Sequence, residues 1–99
     1  PPLRAEPGAV ALRFAISIGD YRAGDVLLCR RLEPAAFATA LNRDLLLPRP
    51  AGRFLFGRLL QVEEGRLHLL PLADAARQQV VSAPNWAALP TRLIRTLGA

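Results

Sequence analysis

Few side chains in this 99-residue chain could do chemistry, and their spacing argues against most reactions. All 13 Lys+Arg positions are arginine. With no lysine there is no Schiff base, no P-loop lysine and no Ser-Lys base, whatever the fold. Cys29 is the single cysteine and His68 the single histidine, which leaves nothing for an intramolecular disulfide or a zinc cluster. Cys29 closes the apolar run Val26-Leu27-Leu28-Cys29 and reads as a small buried hydrophobe. His68 stands among leucines with no nucleophile or second ligand beside it. Glu63 and Glu64 are adjacent and point apart, so they do not form an acid/base pair. Asp20 and Asp25 flank a turn, where aspartate caps backbone donors. No glycine pattern matches a phosphate-binding loop, so the expectation is a non-enzyme with no catalytic, cofactor-binding or metal residues.

Binding is the alternative to catalysis. The formal net charge of +5 suits a polyanionic partner without specifying one. Arg30 and Arg31 are neighbours on a strand and face opposite sides, whereas Arg49, Arg53, Arg58 and Arg66 cluster around a hairpin and are candidates for one surface. Aromatic interleaving of the kind that stacks single-stranded bases is missing, since Phe54 and Phe56 fit an inward face better. Trp86, the single tryptophan, either plugs the open end of a small barrel or anchors a partner.

The elements that must position these residues are mostly strands. Hydrophobic residues make up 52% of the chain, with 19 Leu and 17 Ala, so the core is aliphatic. Residues 1–8 hold three prolines and read as a linker, with a single domain over 9–99. Val10, Leu12, Phe14, Ile16 and Ile18 alternate as one face of a first strand. Val26–Leu32 is a second strand, and Glu33–Asp44 holds a short helix with Phe37 and Leu41 at i, i+4. Leu45-Leu46-Leu47 is closed by Pro48-Arg49-Pro50. Arg53–Glu63 and Arg66–Leu72 form a hairpin through Glu63-Glu64-Gly65. Ala73–Gln79 holds at most a helical turn, and Gln79–Ser82 and Thr91–Leu97 are short strands separated by the loop that carries Trp86. Short turns without β-α-β alternation predict a mainly β fold, a small, partly open, largely antiparallel β-barrel-like domain with one or two short helical turns. No segment is long and apolar enough to span a bilayer, and the N-terminus lacks a signal peptide's apolar core.

Ala23-Gly24-Asp25-Val26-Leu27-Leu28 resembles the Gly-Asp-apolar segment of LexA-like peptidase domains, the C-terminal domains of self-cleaving phage repressors. Phe54-Leu55-Phe56-Gly57-Arg58-Leu59-Leu60, the Glu63–Leu67 hairpin, Leu69-Leu70-Pro71-Leu72 and Leu93-Ile94-Arg95 follow that family's order of strands. The resemblance implies a Ser-Lys dyad, and this chain departs from it. The position matching the lysine is Gly57, followed by Arg58, whose guanidinium stays protonated. Ser17 is the only serine near the nucleophile position, and its spacing to Gly24 is about one residue short.

Together these observations predict a non-catalytic oligomerisation or regulatory domain of a bacterial, DNA-associated, phage-repressor-like transcription regulator. It would be a cytoplasmic homodimer that reaches DNA through a module upstream of this chain, which begins without methionine. It would use no metal, cofactor or membrane. The alternative is a small basic β-barrel that binds nucleic acid through Arg53, Arg58 and Arg66.

Overall fold

The computed structural model describes residues 9–14, 17, 20–72, 77–82 and 84–97. The proposed linker over 1–8, Ile16 and Ile18 of the first strand, and most of the segment read as a helical turn after Leu72 lie outside the described residues.

Seven strands form one sheet: β1 (Ala9–Arg13), β2 (Val26–Leu32), β3 (Asp44–Arg49), β4 (Arg53–Glu63), β5 (Arg66–Pro71), β6 (Gln79–Ser82) and β7 (Ala87–Ile94). Their order is β1-β2-β7-β3-β4-β5-β6, and every pairing is antiparallel. The fold is thus mainly β and largely antiparallel, and the sheet does not close on itself: β1 and β6 are its edges.

Both sides of the sheet carry buried apolar residues. On one side, Leu32, Leu45, Leu47, Leu59, Leu67, Leu69, Val81, Ala87 and Leu89 form an aliphatic core. A 3-10 helix over Pro34–Ala40 lies on it and contributes Phe37 and Ala40. On the other side Leu27, Cys29, Leu46 and Ala88 pack with Phe14, Tyr21, Phe56 and Trp86. Leu45-Leu46-Leu47 therefore feeds both cores, the alternation expected of a strand buried on two faces.

Four expectations are corrected in detail. The helix is 3-10 and not α, so its buried pair is Phe37 and Ala40 at i, i+3, and Leu41 is left exposed. Leu45–Leu47 belongs to a strand that continues through Pro48. β7 pairs with β3 only at Leu46, so the Pro48 end lacks a partner on that side and a proline is tolerated. The last strand begins at Ala87 and not at Thr91. Pro90 sits at a register shift in it, with Thr91 bulged and its hydroxyl donating to the Leu28 carbonyl at 3.2 Å. Finally, Phe56 packs inward but Phe54 is 55% exposed. The β4–β5 turn matches expectation: Glu64 and Gly65 both have positive φ, 46° and 78°, the conformation of a two-residue type I′ hairpin turn.

Candidate functional site

The two positions that a Ser-Lys dyad would need are both used structurally. The Ser17 hydroxyl accepts a hydrogen bond from the Ala23 N–H at 3.2 Å, closing the loop before β2. Gly57 is buried in β4 opposite Pro71. A Cβ at Gly57 would lie 2.7 Å from the Leu70 carbonyl oxygen and 2.9 Å from its carbon, so the backbone of β5 occupies the space a side chain would need. Cys29 is buried, and burial pushes its thiol pKa up to about 11, leaving no thiolate near neutrality. Among the described residues no group of three His, Cys, Asp or Glu could hold a metal ion.

Among the described residues, two open concavities carry polar groups. One, of about 260 Å³, is lined by Tyr21, Asn42, Arg43, Asp44, Arg58 and Pro90. The Tyr21 hydroxyl donates to Asp44 Oδ2 at 2.6 Å. Burial first, then this hydrogen bond, drives the phenol pKa far above its ordinary range, so Tyr21 is a fixed donor and not a base. Asp44 Oδ1 has Arg58 Nε 3.8 Å away. The other concavity, of about 220 Å³, is lined by Arg49, Arg53, Phe54, Leu55 and Gln79. Arg49 and Arg53 are direct cross-strand partners, a like-charge pair that opposes local stability unless an anion is nearby.

The hairpin arginines do not converge. Arg53 and Arg58 lie five residues apart on β4 and so take opposite faces. Arg58 Nε lies 3.8 Å from Asp44 Oδ1, too far for a hydrogen bond, and Arg66 sits 3.7 Å from Glu63 at the hairpin tip. Only Arg53 of the three is without a carboxylate partner among the described residues. Trp86 is half-buried: its ring meets Phe54 edge-on at 6.4 Å, and the Arg31 guanidinium lies 5.0 Å from its centroid. Trp86 packs against the cluster of Phe14, Leu27, Cys29, Leu46 and Ala88. His68 has its Nε2 3.3 Å from Glu63 Oε2.

No family model, curated protein or solved structure matches the chain. The residues themselves carry the functional reading.

One polar cluster that spacing along the chain does not announce is Asp25 with Arg95. Asp25 is 1% exposed and takes hydrogen bonds from Arg95 Nε at 2.9 Å, Arg95 Nη2 at 2.7 Å and the Arg22 backbone N–H at 2.8 Å. Arg95 also donates to the Asp20 carbonyl at 3.3 Å. This clasp ties the end of β7 to the loop that enters β2. The Arg95 hydrogen bonds are the main cause that holds the Asp25 pKa down at about 2, against an ordinary value of 3.8. A depressed carboxylate contributes stability that is complete above its unfolded pKa and lost as pH falls through the folded one. Wild-type stability is therefore expected to drop between pH 3.8 and about 2, and Asp25→Asn to flatten that limb in pH-dependent denaturation. An identical acid limb in the variant would remove the clasp from the explanation.

Proposed function

We propose that this domain is a non-catalytic assembly module, the oligomerisation or regulatory half of a DNA-associated regulator of the LexA-like type. The observation that carries the assembly reading is the β6 edge. Among the described residues Gln79-Val80-Val81-Ser82 has a single neighbouring strand, and it carries neither charge nor proline, the devices that ordinarily keep an edge from pairing. Val80 is 50% exposed, and Leu70 on the next strand is 41% exposed. Antiparallel pairing of β6 with the same strand of a second copy would satisfy the free backbone groups and give a two-fold dimer with one continuous sheet. The blocked base position at Gly57 favours assembly over self-cleavage.

Sedimentation velocity from low to high micromolar concentration tests this. A concentration-dependent dimer is expected, with Val80→Lys monomeric over the same range and unchanged in far-UV circular dichroism. A wild-type chain that stays monomeric at high micromolar concentration overturns the reading.

A further inference from the structure

The far end of the sheet from β6 presents a different surface. Cross-strand partners share a face, so Ala11 and Leu28 lie on one side with Arg92, Arg13 lies there with Val26 and Ile94, and Arg30 lies there with Leu89. This is the side of the aliphatic core, beyond the part covered by the 3-10 helix. The placement of Arg92 depends on the bulge: Leu89 faces this side, and if Thr91 took a regular place in the ladder the alternation would turn Arg92 to the opposite one. Arg13, Arg30 and Arg92 are all exposed, and none forms an ion pair among the described residues. The charges nearest in sequence are already committed, with Asp25 held by Arg95 and Glu33 by Arg31.

From strand spacing, the three side chains spring from a triangle with sides of roughly 8, 12 and 14 Å. Their rigid scaffold is three hydrogen-bonded strands. We propose that this face, built from Arg13, Arg30 and Arg92, contacts the phosphate backbone of duplex DNA without reading sequence. Guanidinium groups bind phosphate oxygens bidentately, and an array of three on one face can meet the regular phosphate array of a duplex. The described residues of the face include no aromatic on which single-stranded bases could stack, which favours duplex over single strand. They include no exposed bulky apolar side chain to insert into a bilayer, which disfavours an anionic membrane as the partner.

This contact is independent of self-pairing through β6, because the two surfaces lie at opposite ends of the sheet. The experiment is a salt titration of binding to a short fluorescent duplex by the 99-residue chain, the triple variant Arg13→Gln/Arg30→Gln/Arg92→Gln, and Arg53→Gln/Arg58→Gln/Arg66→Gln as a charge-matched comparison. Three phosphate contacts contribute about 2.7 to the log–log salt slope, so wild type loses about 40-fold more affinity than the first variant between roughly 50 and 200 mM salt. The comparison variant should keep a slope close to wild type, and monomeric Val80→Lys should still bind. Wild type that fails to bind duplex at low salt overturns the proposal. Equal losses in the two triple variants, tighter binding to single strand, or binding to anionic vesicles and not to DNA overturns it as well.

Discussion

Gly57→Ala is expected to destabilise the domain by about 3 kcal/mol, near the upper end of what overpacking a tight interior costs. The new Cβ would meet the Leu70 carbonyl oxygen at 2.7 Å, and that atom is backbone held in the β4–β5 ladder, so it cannot rotate away as a side chain would. Relief requires β5 to move off β4, breaking the ladder from Gly57–Pro71 to Leu59–Leu69. In urea denaturation the midpoint should fall by roughly 2 M for a domain of this size. Gly65→Ala separates sterics from backbone conformation. A Cβ there meets nothing within 4 Å, but φ is 78°, so the cost is that of the left-handed region alone, about 1–2 kcal/mol. Gly57→Lys, which would restore the side-chain type of the Ser-Lys family at its matching position, is expected to be worse than alanine and to produce no self-cleavage. Near-native stability of Gly57→Ala would mean that the two strands do not approach this closely.

The strands were legible wherever alternation ran uninterrupted. β2, β4, β5 and the Glu64-Gly65 turn follow from period two and a glycine at the point of reversal. β6 over Gln79–Ser82 and the start of β1 at Ala9 were legible as well, and prolines hid the extent of β3 and the start of β7. Pro48 and Pro90 read as breaks, but each sits where the ladder has no donor to lose or where a bulge absorbs the irregularity. Phe37 and Leu41 have the spacing of an α-helix, yet the seven-residue segment starts at Pro34 and is wound as 3-10, which moves the second buried position to Ala40. Exposure of Phe54 was equally hidden, since alternation places it with Phe56 but not how far the second core extends.

Surface groupings were less legible, and for a specific reason. That Arg53 and Arg58 take opposite faces follows from counting five residues along one strand. That Arg13, Arg30 and Arg92 take the same face requires β2 to lie between β1 and β7 and requires the bulge at Thr91. Neither fact leaves a local pattern in the chain. The Asp25–Arg95 clasp, 70 positions apart, is non-local in the same way. Clustering along the chain therefore pointed to the hairpin, where carboxylates lie within 4 Å of two of the three arginines.

Leu69→Ala against Leu70→Ala tests the parity on which these face assignments rest. Leu69 is fully buried among Leu45, Leu47, Leu59 and Leu67, and its truncation should cost about 3–4 kcal/mol. That is a large fraction of the roughly 5–15 kcal/mol by which a small domain is stable, so the variant should unfold at a much lower urea concentration. The core offers little means of repair. Apart from Phe37 its described members are aliphatic, held on strands whose register fixes where each side chain points, and the 3-10 helix above them is too short to sink into the space. Leu70, one residue on, faces the other side beside Arg58 and is 41% exposed, so alanine there should cost within about 0.5 kcal/mol. Between the two strands the register shifts at Leu60, so the parity of β5 relative to β4 differs on either side of that bulge. Comparable losses from both truncations would mean that Leu70 is covered as Leu69 is, leaving the β6 edge without the exposed apolar row of Val80 and Leu70 that recommends it for self-pairing.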